Sequence, residues 1–321
     1  MTDRLATLAN EYEVALTPPD ITPYAAGTDG TPYVHTFRAD ASGPHVAITA
    51  VVHGNEPCGA IALDTFLREG VRPARGKLSF AFINIAAYEA FDAQNPNASR
   101  WVDEDFNRLW SRETLEGERQ SIELTRAREL RPFMGTVDLL LDIHSMQHTT
   151  APLMMAGPAD KGVALAKAVG IPEVIVVDGG HKAGPRLRDY AGFIDAASDK
   201  NALLVECGQH WERDAAKVAL ASAVRFLRAT GAVADDFYGD ECRVAPAQRV
   251  LRITEPVTIE TDAFRFAEPF KGLEVIPNAG TVIAHDGPRE VTTPYDDCVL
   301  IMPSKRLWPG QTAVRLGRFD A

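Results

Sequence analysis

The chain has 321 residues, 45% of them apolar and 24% charged, an ordinary globular composition long enough for a large α/β domain plus a smaller one. Its formal net charge of −11 excludes nucleic acid as a partner, since binding phosphate backbones needs clustered Lys and Arg. The N-terminal MTDRLATLANEY scatters charges where a signal peptide needs a continuous apolar run, and no stretch approaches the roughly 20 apolar residues of a membrane span.

A cytoplasmic protein with no membrane contact is therefore expected. Cys58, Cys207, Cys242 and Cys298 contain no C-x-x-C pair and read as reduced thiols.

In chain order, apolar β-rich runs predict strands over 45–52 (HVAITAVV), 77–85, 137–143 (VDLLLDI), 152–156, 173–177 and 202–205. Several lack in-out alternation, as strands buried on both faces do. Helices are expected between them over 57–68, 115–130, 159–169 and 211–230. The last carries Trp211, Ala215, Val218, Ala219, Ser222 and Phe226 on one face, with Gly231 placed to end it. Alternating strands and helices imply a sheet covered on both faces. Residues 88–110 follow neither period, and a loop of that length in a compact domain is usually functional. From residue 244 only short strands remain, over 250–253, 257–259, 273–276, 281–283 and 299–302. The domains are accordingly expected at 1–243 (α/β) and 244–321 (all-β).

Ligands of open α/β sheets bind beyond the carboxyl ends of the strands. His53 follows the first strand, Gly54 permits a tight turn, Pro57 suits a first helical turn, and Glu56 faces back toward His53. Imidazole and carboxylate are good zinc ligands, and catalytic zinc commonly takes three protein ligands. The natural third is His144, ending the strand that carries Asp142, which would accept a hydrogen bond from a ligand histidine. His148 is a rival partner for His144, but the following Thr149-Thr150-Ala151-Pro152 opposes a helix there, leaving it as pocket lining. In the long loop, Arg100, Asn107 and Arg108 supply groups suited to gripping a carboxylate, although Asp103 and Asp105 could simply pair with the arginines. Glu206 ends a buried strand at the same edge and could move a proton.

With His53-Gly54-Asn55-Glu56, Asn107-Arg108, His144 and Glu206 in this order, the chain resembles the succinylglutamate desuccinylase/aspartoacylase family, a branch of the zinc carboxypeptidase-like fold. The resemblance covers about residues 40–230. It implies a mixed central sheet flanked by helices with a small C-terminal all-β domain, and one zinc per chain held by His53, Glu56 and His144. It further implies Glu206 as general base and acid, Arg100 as oxyanion stabiliser, and Asn107 with Arg108 on the substrate carboxylate. The pattern also expects an upstream substrate-binding arginine, for which Arg186 and Arg188 compete; Arg188 is taken here. A C-terminal tyrosine reaches the site in some members, and Tyr295 is the candidate, with a turn aromatic at the domain junction as its alternative. The implied activity is a zinc amidohydrolase removing an acyl group from a small N-acylated carboxylate. A metallocarboxypeptidase acting on longer substrates and a non-catalytic zinc-binding protein are the rivals, and a homo-oligomer is left open.

Overall fold

In a computed structural model of the chain, residues 2–239 and 247–320 are described; Cys242 and the expected boundary at 243/244 lie outside them. The chain runs through α1 (Thr2–Ala6), β1 (Val34–Arg38), β2 (His45–Ala50), α2 (Pro57–Arg68), β3 (Lys77–Phe82) and α3 (Ile85–Glu89). It continues through α4 (Arg112–Glu116), α5 (Ile122–Thr136), β4 (Leu139–Met146), β5 (Leu153–Met155), α6 (Asp160–Val169), β6 (Val174–Val177), β7 (Asn201–Gln209) and α7 (Arg213–Ala229). The remaining elements are β8 (Arg249–Thr258), β9 (Phe264–Phe266), β10 (Val275–Ile276), β11 (Val282–Asp286), β12 (Arg289–Thr292), β13 (Cys298–Ile301) and β14 (Thr312–Phe319).

The main sheet is mixed, in the order β1-β3-β2-β4-β7-β5-β6-β8-β14-β13-β10, and a second sheet is ordered β12-β11-β9. Strand β2 shows why the apolar runs lack alternation. Val46, Ile48 and Ala50 join the core under α2 and α7, whereas Ala47 packs into the opposite core with Leu124, Leu130 and Met134 of α5. Both faces are covered, so every position is apolar or internally bonded. Strands β2, β4 and β7 are parallel, which brings their carboxyl ends to one edge. Gly231, at φ +66°, follows α7 as its pattern predicts.

Several elements differ from the sequence expectation. The helix expected over 115–130 is two, because Ser111 and Ser121 each cap a separate first turn, accepting from the amides of Thr114 and Leu124. Strand β7 runs on to Gln209, so Glu206 lies inside it rather than at its end. The short strands expected at 250–253 and 257–259 are one strand, β8. Pro256 is tolerated there because it lies past the β6 pairing, where β14 is the only neighbour. Parallel pairing of β8 with β6 also carries the main sheet into the C-terminal part. No helix among the described residues is long and apolar enough to cross a membrane.

Candidate metal centre and active site

The turn after β2 is built by close packing. Val51 adopts φ +55°, an uncommon conformation for a β-branched residue, and swings the chain out of the strand toward His53. A Cβ on Gly54 would overlap the Ala87 backbone and Ser99 oxygen, so glycine here admits the 97–100 segment, which the Gly54 amide anchors at the Arg100 carbonyl, 3.2 Å. Pro57 opens α2, and Glu56 occupies its N-cap without a capping bond; its carboxylate turns to the histidines instead. Gly59 lets α2 sit directly on Ala50 of β2 and Ile143 of β4, fixing Glu56 beside His144.

Glu56 Oε1 lies 2.8 Å from His53 Nδ1, and Glu56 Oε2 lies 2.8 Å from His144 Nδ1. The outward Nε2 atoms meet two further carboxylates, Asp105 Oδ1 for His53 and Asp142 Oδ2 for His144, each at 3.0 Å. Thr49 in turn donates to Asp142 Oδ1 at 2.7 Å. Two aspartates thus orient both rings with Nδ1 inward, the arrangement that carboxylates impose on metal-binding histidines. Asp142 takes the supporting place expected for it. Asp105 was legible only as an ion-pair partner, since nothing in the loop sequence aims it at His53.

The donor set fits a cation. A neutral His144 has one N–H for two carboxylates, so the second contact sets lone pair against lone pair unless a positive charge lies between them. Burial opposes charge on both groups. Even so, Asp142 and Glu56 raise the His144 imidazole well above its ordinary range, and the two imidazoles hold Glu56 well below the usual carboxylate range. The ligand atoms of His53, Glu56 and His144 all lie within 4.8 Å of one another, and these three could hold a metal ion.

Glu206 stands opposite His144 in the β4–β7 register, beside an irregularity in that pairing that Gly208 accommodates at φ +110°. It is buried, and its Oε2 has no partner among the described residues. Burial, opposed by His144 and reinforced by Glu56, pushes its carboxyl up to about 8. Arg100 donates to Glu56 Oε1 at 3.0 Å, and Asn107 joins the site to a neighbouring loop, its Oδ1 accepting from the Leu187 amide at 2.8 Å. Arg108 donates to the Asn107 carbonyl at 2.6 Å.

One cavity therefore gathers His53, Glu56, Arg100, Asn107, Arg108, His144 and Glu206, with His148 on its wall. Two expected substrate contacts are placed elsewhere. Arg188 is 1% exposed, and its guanidinium is committed to Asp189 and to the carbonyls of Ala156 and Ala202, at 2.8, 3.1 and 2.6 Å. Arg186 does line the cavity, but Asp178 and Asp189 hold all three of its nitrogens. Tyr295 packs against the C-terminal core and shares a 2.6 Å hydrogen bond with Thr254. Further residues on the wall include His181, His210, Arg306 and Arg315. The last two come from the segment after β13 and from β14, where strand periodicity says nothing about a distant site.

Fold and site together define an α/β protein with a His-Glu-His group that could hold a metal ion at the sheet edge beside a buried carboxylate. Residues 42–230 match the Succinylglutamate desuccinylase/Aspartoacylase catalytic domain, and the chain belongs to this family. No curated protein matches it. The chain is similar to the solved structure of a succinylglutamate desuccinylase/aspartoacylase from Rhodobacter sphaeroides, at 17% identity and TM-score 0.65, covering 90% of this chain and 89% of that one. It is likewise similar to a succinylglutamate desuccinylase from Vibrio cholerae, at 17% identity and TM-score 0.65, covering 89% and 85%. The ectoine utilization protein EutE (DoeB) from Ruegeria pomeroyi matches at 17% identity and TM-score 0.61, covering 88% of each chain.

Proposed function

We propose that this protein is a zinc-dependent amidohydrolase that removes the acyl group from an N-acyl amino acid or similar small carboxylate. The observation that carries the reading is Glu206: a buried carboxyl raised to about 8, with one oxygen free, beside a His-Glu-His donor set. A purely structural metal site has no use for such a group. His53, Glu56 and His144 would hold zinc, which supplies Lewis acidity toward water and the amide carbonyl.

Glu206 accepts a proton from the attacking water and returns it to the departing amine. Arg100, fixed by Glu56, faces the oxyanion that develops on the carbonyl oxygen. Arg108 draws the substrate carboxylate into register, and Asn107 positions it by tying the 106–108 turn to Leu187. Residues from the C-terminal part, Pro303, Ser304, Arg306, Thr312 and Arg315 among them, crowd the cavity and favour small substrates over peptides. That crowding supports the deacylase reading over a carboxypeptidase.

The test is a screen of N-acetyl, N-succinyl and N-formyl amino acids and of unblocked peptides on the zinc-loaded protein, with amine release measured. Glu206→Gln should lower kcat on the best substrate by about 10²–10⁴. An unchanged kcat would overturn the mechanism, and efficient peptide trimming would overturn the substrate class.

A further inference from the structure

Glu123, in the first turn of α5, is 0% exposed and is not among the residues lining the cavity. Its two oxygens nevertheless accept from four donors. Oε1 takes the Val102 amide at 2.6 Å and Asn84 Nδ2 at 3.3 Å. Oε2 takes the Asp103 amide at 3.1 Å and the Glu104 amide at 3.3 Å. A carboxylate has about four lone-pair sites, so this one is fully used. The Asp103 side chain returns the contact, its Oδ2 accepting from the Ile122 amide at 2.8 Å. Three successive amides gathered on one carboxylate fix the backbone that joins them.

That backbone lies between two residues of the site. Arg100, two residues before Val102, donates to Glu56 Oε1 at 3.0 Å, and Asp105, next after Glu104, holds the outward nitrogen of His53 at 3.0 Å. Asn84 leads to the other side of the same contact. Its amide donates at 3.0 Å to the carbonyl of Val51, the positive-φ residue that swings the chain toward His53. Glu123 therefore ties α5 both to the loop that carries Asp105 and to the turn that carries His53. An acidic residue in a first helical turn ordinarily serves the helix dipole from the surface. This one is buried and spent on a neighbouring loop.

We propose that Glu123 is a positioning residue of this site: it sets the 102–104 backbone before any ion or substrate binds, and so the geometry in which Asp105 orients His53. The inference rests on the reading above only in naming zinc as the ion. In Glu123→Gln an NH2 group would face two of the four donors, leaving them without an acceptor. Glu123→Asp keeps both acceptor oxygens on a shorter arm.

The test measures zinc affinity, by competition with a chelator, for wild type, Glu123→Gln, Glu123→Asp, Asp105→Ala and the Glu123→Gln/Asp105→Ala double variant, each shown to be folded by its Tm. Glu123→Gln should weaken zinc by about 10-fold or more, as loss of the groups that orient metal-binding histidines does. Glu123→Asp should recover part of that loss. In the Asp105→Ala background Glu123→Gln should cost less than about threefold, because the contact through which it acts is already gone. Arg188→Met controls for lost stability alone and should bind zinc as wild type does. Additive losses in the double variant, or a Glu123→Gln affinity equal to wild type, would overturn the proposal. Hydrogen exchange on wild type needs no variant: metal-free protein should protect the amides of Val102, Asp103 and Glu104 to the same extent as zinc-loaded protein. Amides that exchange freely until zinc is added would equally overturn it, since the ion would then order the loop. If wild type binds no zinc, the zinc reading has failed, and the exchange measurement alone decides the role of Glu123.

Discussion

Replacing Arg188 by Met separates a structural arginine from a substrate-binding one. Methionine keeps the aliphatic bulk but removes three bonds: to Asp189, and to the carbonyls of Ala156 and Ala202, which tie the end of β5 to β7. Gly157, at φ +71°, leaves the room the guanidinium fills; a Cβ there would overlap Arg188 Nη1. Breaking a buried ion pair costs about 3–5 kcal/mol. Because Arg186 still compensates Asp189, the low end applies, about 3 kcal/mol. For 321 residues at roughly 2.1 cal/mol/K each, the unfolding entropy is roughly 0.67 kcal/mol/K, so the Tm should drop by roughly 4–5 °C. Differential scanning fluorimetry reads the shift, and steady-state kinetics on the folded variant reads the rest. An unchanged Tm together with a KM raised tenfold or more would refute this placement and return Arg188 to the substrate.

The metal centre and the core yield three further expectations. By equilibrium dialysis, His53→Ala should lose bound zinc whereas His148→Ala retains it; the reverse would reassign the ligands. Asp105→Asn should weaken zinc about 10–100-fold, because Asp105 orients the outward nitrogen of His53, and unaltered affinity would reduce Asp105 to an ion-pair partner. His45 sits between the Thr136 carbonyl and Ser79 Oγ, and burial lowers its imidazole to about 4. Above pH 6.5 it is neutral folded and unfolded alike; from 6.5 down to 4 only the unfolded chain takes the proton, so stability falls through that window. His45→Gln should therefore lose less Tm than wild type on acidification from pH 7 to 5, and parallel Tm profiles would show that His45 contributes nothing there.

The meeting of His53, Glu56 and His144 was legible because one parallel sheet edge collects them. A histidine just past β2, a glutamate at the next helix start and a histidine late in β4 each follow a short apolar run, and parallel pairing of β2, β4 and β7 does the rest. Local sequence could not rank the arginines. Arg186 and Arg188 are two residues apart in one polar turn, and only the positions of Asp178, Asp189 and two main-chain carbonyls decide that Arg188 turns into the core. Tyr295 shows the same limit, since a turn aromatic packs wherever the nearest apolar cluster lies, here beside Thr254 and under Arg318.

The least legible part is the wall opposite the metal donors. Arg306 and Arg315 arrive through a chain of pairings, β6 with β8, β8 with β14, and β14 with β13, that extends the main sheet into the C-terminal strands. Each strand looks like ordinary β structure, and an isolated arginine in it reads as a solvated face. The consequence is a division of labour between the two parts of the chain. The α/β part assembles the His-Glu-His group through short-range geometry that a motif can encode, such as the three-residue step from His53 to Glu56. The C-terminal part brings Arg306 and Arg315 to the cavity wall through long-range contacts that no motif contains.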